Sequence, residues 1–112
     1  MSAQDSDPFL YLTTTGRKSG KPHQIEIWFV AYAGCYYLVT EDPEQSDWVK
    51  NIRHNPAITL SVGSRDANVI AGTGRPLDRA QEPQLADAIA ALMNAKYDWS
   101  EGLIVELKPN SG

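Results

Sequence analysis

Phe9-Leu10-Tyr11-Leu12-Thr13-Thr14-Thr15-Gly16-Arg17-Lys18-Ser19-Gly20-Lys21-Pro22 is an apolar and β-branched run that breaks into a turn carrying three cations and no acid. Aromatic and β-branched residues favour a strand over 9–15. Gly16 and Gly20 permit positive φ or close backbone approach, and Pro22 marks entry into the next extended segment. Backbone N–H groups in such a bend, with Arg and Lys beside them, supply the donors and positive field that a phosphate or carboxylate needs. The same residues also suit a solvated hairpin tip whose cations serve solubility. The spacing is not that of a phosphate-binding P-loop, because Gly20-Lys21 is followed by Pro22 rather than Ser or Thr.

Working outward, residues 23–33 read as a second, long strand in which Ile25, Ile27, Phe29 and Ala31 alternate with Glu26, Trp28, Val30 and Tyr32. Gly34 predicts a tight reversal into a third strand, residues 35–41, followed by the acidic loop Glu41-Asp42-Pro43-Glu44-Gln45-Ser46-Asp47. Ser46 suits the N-cap of a short helix near residues 47–54, with Trp48 and Ile52 on one face and a stop at Asn55-Pro56. Ile58, Leu60 and Val62 mark a fourth strand, Ser64-Arg65-Asp66 a turn, and residues 68–77 a fifth strand. Gly72 and Gly74 lie on the same face of that strand and predict a bend or the approach of another backbone or ring. Leu85, Ile89, Leu92 and Met93 recur at helical spacing within residues 80–97, with Pro83 tolerated near the first turn. That stripe reads as core packing. A closing strand follows Gly102 over residues 103–107. Six strands in hairpin order with two helices suit a mainly β fold, a small, partly open antiparallel β-barrel, better than a parallel sheet, which needs a crossover helix between most strands. The barrel is expected over residues 9–109, between a loosely ordered segment 1–8 and a tail 110–112.

The bulk properties narrow the partners. At 112 residues the chain is one domain, and a second copy would help it enclose a sizeable ligand, so a homodimer is expected. A net charge of −4 argues against a nucleic-acid partner, which requires a broad basic surface rather than one local cluster. The single cysteine, Cys35, excludes an internal disulfide framework, fits a reducing compartment and reads as a buried small hydrophobe. No apolar run approaches a membrane span and the first eight residues are polar and acidic, so the cytoplasm is the expected location. His23 and His54 are far apart and no His or Cys cluster has metal-ligand spacing, so no metal site is expected.

The basic turn, followed about thirty residues later by Trp48-Val49-Lys50-Asn51-Ile52-Arg53-His54-Asn55-Pro56, resembles the deazaflavin-dependent nitroreductase and quinone reductase family. That family belongs to the split-barrel flavin proteins related to pyridoxamine-phosphate oxidase. The likeness covers residues 10–109. It implies a six-stranded antiparallel split β-barrel homodimer that binds reduced coenzyme F420 and passes hydride to quinones, nitroaromatics or other electron-poor molecules. By the same resemblance Thr15, Gly16, Arg17, Lys18, Ser19, Gly20 and Lys21 would hold the anionic tail of the cofactor, with His23 as a further cation. Trp48 would be a wall of the groove, or a plain helix-to-barrel anchor, and Asn51 a hydrogen-bonding or helix-packing residue beside it. Trp28 and Glu26 would face the ring, or else be a packing aromatic and a paired carboxylate. Tyr97 and Trp99 lie where relatives place aromatic residues that contact substrate. No catalytic side chain is required, because the cofactor carries the redox chemistry.

The chain departs from the family pattern in two places. Where many members carry a glycine-rich loop with a lysine, this chain has Glu41-Asp42-Pro43-Glu44, which repels anions. In the second strand it reads His23-Gln24-Ile25-Glu26-Ile27-Trp28-Phe29, where many relatives have a proline and a small apolar pair. Two further readings therefore stand beside F420: a split barrel using FMN, for which the turn would serve as phosphate site, and a carrier that binds a lipid, flavin or tetrapyrrole without turnover.

Overall fold

The computed structural model describes residues 8–64 and 68–110. In chain order these form β1 (Leu10–Thr15), β2 (Pro22–Ile27), β3 (Val30–Tyr32), β4 (Cys35–Thr40), α1 (Asp47–His54), β5 (Ala57–Val62), β6 (Ile70–Pro76), α2 (Pro83–Tyr97) and β7 (Leu103–Pro109). The strands make one sheet in the order β2-β1-β5-β6-β7-β4-β3, with every neighbouring pair antiparallel. The fold is the mainly β, two-helix barrel expected, with seven strands in place of six, because the long second strand breaks at Trp28-Phe29 into β2 and β3.

That break explains the shape. β2 and β3 are the opposite edges of the sheet, yet Ile27 and Val30 are joined by three peptide links, which reach at most about 11 Å. Seven flat strands would hold the edges roughly 29 Å apart at the usual inter-strand spacing. The sheet must therefore curl until its edges meet, leaving an unbonded seam between β2 and β3. At the corner the alternation fails. Phe29 and Val30 are consecutive and both buried, the first in the barrel interior and the second against α2.

Two cores follow from this curl. The interior is filled by Leu10, Leu12, Phe29, Leu38, Leu60, Val105 and Leu107, and α1 plugs one end with Val49 and Ile52. On the outer face α2 lays Ala86, Ile89 and Met93 over Val30, Val39, Leu77 and Ile104. Leu85 and Leu92, expected in the same stripe, are partly buried against that core. Gly72 and Gly74 point inward and are buried. A Cβ on Gly72 would collide with the Lys108 carbonyl, and one on Gly74 would stand 3.0 Å from Ile52 Cδ1. The close approach is thus realised, by β7 at Gly72 and by α1 at Gly74.

The element ends differ from expectation in three ways. Ser46 is the N-cap residue of α1 but its hydroxyl does not cap it. It pairs with Thr40 Oγ1 at 2.9 Å and donates to the Asp42 carbonyl at 2.8 Å, tying the helix start to β4. α2 begins at Pro83, in the first turn where its missing N–H costs nothing, rather than at Ala80. The closing strand runs on to Pro109, and Asn110 N–H donates to the Ala71 carbonyl at 3.0 Å. The expectations for segment 1–7, for Arg65-Asp66 in the turn after β5, and for residues 111–112 lie outside the described residues.

Candidate functional site

Alternation along β1 turns Leu10, Leu12 and Thr14 inward, so the interior row that begins with two leucines ends on a hydroxyl at the barrel mouth. There the chain leaves β1 for the turn. Gly16 N–H donates to the Lys21 carbonyl and Gly20 N–H to the Gly16 carbonyl, each at 2.8 Å. Gly20 takes φ +73°, a left-handed conformation that a side chain would strain. Lys21 N–H is taken by Ser19 Oγ at 3.2 Å and Arg17 N–H by Asn51 Oδ1 at 3.2 Å. Most backbone donors of the turn are therefore spent on the turn and on α1. The groups that remain for an anion are chiefly side chains.

Arg17 is the best ordered of these by its contacts. Its Nη1 donates to Asn51 Oδ1 at 3.0 Å, and its Nη2 lies 3.5 Å from Asp47 Oδ1. Asn51 is buried and donates through Nδ2 to Thr14 Oγ1 at 3.1 Å. One amide thus ties β1, the turn and α1 together. Lys18 and Lys21 have no carboxylate within ion-pair distance among the described residues. His23 lies against Gly16, where a Cβ would come within 2.7 Å of Nε2, so the glycine makes room for the imidazole.

Arg17, Lys18, His23, Asn51 and Thr14 help to line a cavity of about 490 Å³ between the β1–β2 hairpin and α1. Of the residues expected around the cofactor, Gly16, Arg17, Lys18, Ser19, His23, Trp48 and Asn51 line it. Thr15, Gly20, Lys21 and Trp28 do not. Thr14, Gln24, Ile25 and Asp47 line it without having been singled out; the parity of β1 was a signal for Thr14. The result is a wall of Trp48 and Ile25 with Arg17, Lys18 and His23 on its rim. Such an arrangement suits a flat molecule carrying an anionic group.

The aromatic residues form a second cluster. Trp28 stacks on Tyr97 with centroids 4.5 Å apart and planes 4° from parallel, and its edge contact with Trp99 is at 6.2 Å. The Tyr97 hydroxyl accepts from Phe29 N–H at 3.1 Å and stands 2.7 Å from the Pro8 carbonyl and 3.0 Å from that of Phe29, to either of which it can donate. Burial pushes the phenol pKa up, and the Phe29 hydrogen bond opposes this. Lys96 Nζ donates to the same Phe29 carbonyl at 3.0 Å and sits 3.8 Å above the Phe29 ring. Trp28 and Tyr97 therefore pin the corner where β2 becomes β3. Trp28 itself stays 41% exposed.

Other charged candidates settle into pairs. Glu26 accepts from Tyr11 at 2.8 Å across β1 and β2. Arg53 meets the acidic loop at Glu44, 3.7 Å away, as an exposed ion pair. Cys35 is half-buried, and burial with the nearby Glu106 pushes its thiol up, away from the nucleophilic thiolate. Sequence reasoning passed over one network altogether. Arg75 Nε donates to Glu106 at 2.9 Å, and its Nη1 and Nη2 grip Glu82 at 2.8 and 3.0 Å, while Tyr37 donates to Glu106 at 2.8 Å. A lone carboxylate in the apolar run Leu103-Ile104-Val105-Glu106-Leu107 was the available signal. Among the described residues no group of three or more His, Cys, Asp or Glu is placed to hold a metal ion, and no helix is long and apolar enough to cross a membrane.

Curled sheet, plugging helix and cation-rimmed mouth define a split β-barrel with a cavity at its mouth. The chain belongs to the F420H(2)-dependent quinone reductase family, whose model matches residues 3–101. It is 30% identical over 74 residues to the F420H(2)-dependent quinone reductase of Mycobacterium tuberculosis (strain ATCC 25618 / H37Rv), a match covering 63% of this chain and 50% of that protein. The chain thus spans about half the length of the curated relatives it matches. Among solved structures it is similar to an F420-H2-dependent reductase at a TM-score of 0.59 and 25% identity, covering 90% of this chain and 94% of that one. It also shares its fold with an FAD-binding protein from Mesorhizobium loti at a TM-score of 0.74 and 14% identity, covering 99% and 91% of the two chains.

Proposed function

We propose that the protein is a reductase that binds the reduced deazaflavin F420 and transfers its hydride to a quinone, nitroaromatic or similar electron-poor acceptor, acting as a homodimer in the cytoplasm. The observation that carries this reading is Arg17, held by Asn51 on the rim of the cavity beside Lys18, which meets no carboxylate among the described residues. The residues present fit the cofactor. Arg17, Lys18 and His23 would take its anionic part, with Ser19 as a further donor and Lys21 adding to the positive field, while Trp48 and Ile25 would flank its flat part. When bound, the deazaflavin supplies the hydride itself, so the chain has only to bind, orient and exclude water. Trp28, backed by Tyr97 and Trp99, offers the acceptor a flat aromatic surface. FMN is the alternative ligand, since the same cations would serve its phosphate.

The test is titration of the purified protein with F420 and, separately, with FMN, followed by fluorescence, and then oxidation of the reduced form of whichever binds by menadione. F420 binding with turnover bears the proposal out. Preference for FMN moves the protein among flavin-dependent split barrels, and tight binding without turnover makes it a carrier. Replacing Arg17 and Lys18 together by Ala is expected to weaken F420 binding by about 3–6 kcal/mol, at roughly 1.5–3 for each charged hydrogen bond.

A further inference from the structure

Asn51 lines the cavity wall with both polar atoms of its side chain engaged. Its side-chain carbonyl has two lone pairs, and both are taken by Arg17, one by the backbone N–H at 3.2 Å and one by Nη1 at 3.0 Å. Its amide nitrogen donates to Thr14, which fixes which end of the amide faces the arginine. The residue is 3% exposed, so its end of the contact is sheltered from water.

We infer that Asn51 is a positioning residue for the anion site: it aims the Arg17 guanidinium into the cavity while leaving the arginine charge uncancelled. A carboxylate at this place would accept the same two hydrogen bonds but would also neutralise Arg17 at close range in a buried setting, where charges are poorly screened. An amide is the isosteric group that holds an arginine without opposing it. Asp47, the carboxylate that does approach Arg17, lies 3.5 Å from Nη2 and is 82% exposed, so solvent screens much of its effect. The inference rests on the proposed use of Arg17 as the anion donor.

The experiment compares Asn51→Asp with Asn51→Ala in the full chain, reading thermal stability and F420 affinity at low and moderate salt, with Arg17→Ala alongside. A residue needed only for packing would rank the two variants in one order by both readouts, with Asp the milder change. The inference expects the orders to cross: Asp is more stable than Ala, yet binds F420 no better than Ala, at least about tenfold weaker than the parent, with a flattened salt dependence. Near-parental F420 affinity in Asn51→Asp, together with a clear loss in Arg17→Ala, overturns the inference and leaves the anion site standing. Unchanged affinity in Arg17→Ala removes the site and the inference with it. Should Asn51→Asp fail to fold, Thr14→Val serves in its place, since it frees the other end of the amide. A loss of about threefold in F420 affinity is then expected, and parental affinity overturns the inference.

Discussion

Two arginines, Arg17 at the barrel mouth and Arg75 on the outer face, are both locked by hydrogen bonds, but to opposite kinds of partner. Arg75 grips Glu82 through two nitrogens and Glu106 through a third, and Glu106 also accepts from Tyr37. Its guanidinium is more than neutralised. The hydrogen bonds to Glu82 and then Glu106 hold its pKa above the ordinary arginine value, while burial and the Glu106 hydrogen bond push the Tyr37 phenol upward. Arg17 has a neutral amide as its main partner and one exposed carboxylate at 3.5 Å. One arginine fastens β4, β6, β7 and the start of α2 together. The other is left electrically hungry. The charge of the partner, not the tightness of the hold, separates Arg75 from Arg17, the arginine proposed to bind the cofactor.

The sharpest way to break this contrast is to remove the fastener. Arg75→Met leaves Glu106, a buried carboxylate, with Tyr37 alone, and is expected to lower unfolding free energy by about 2–3 kcal/mol, measured by urea denaturation, with F420 affinity of the folded protein unchanged. A matching loss of affinity would place Arg75 in the binding machinery and end the distinction. A second effect appears in the pH dependence of stability. Hydrogen bonds from Arg75 hold Glu82 below the usual carboxylate range. Its stabilising contribution is therefore present above the unfolded pKa of about 4.3 and is lost as pH falls through the folded value. Glu82→Gln should flatten the acid limb of a stability profile between about pH 5 and 3, and an unaltered limb would show that the pair does not hold the start of α2. The smallest effect belongs to Asp47. Because it is exposed and only loosely paired with Arg17, Asp47→Asn should tighten F420 binding by no more than roughly 1 kcal/mol, chiefly at low salt. Weaker binding instead would make Asp47 a ligand for the cofactor.

Much of this was legible locally. The inward row of β1, the turn at Gly16 to Lys21, α1 with Trp48 and the stripe of α2 all follow from side-chain period and turn chemistry within a few residues of each other. The break at Trp28-Phe29 was not, because apolar and aromatic residues run through it without a glycine or proline. What bends the chain there is closure of the barrel, a property of strands far away in sequence. The cavity was legible in outline for a similar reason. The cations announce themselves, but the partner that aims Arg17 lies 34 residues further on, and the Tyr37–Glu106 contact spans 69. The expected backbone donors were largely consumed by the turn, which only its hydrogen bonds reveal.

The place of β7 in the sheet carries a consequence for how the protein is made. In the order β2-β1-β5-β6-β7-β4-β3, the last of these seven strands to be synthesised sits between β6 and β4. Until it arrives, the nascent chain holds two separate ribbons, a four-stranded one ending at β6 and a two-stranded one beginning at β4, each with an exposed edge open to foreign pairing. β7 acts as the keystone of the barrel, and folding to the native sheet waits on the strand that comes seventh in chain order.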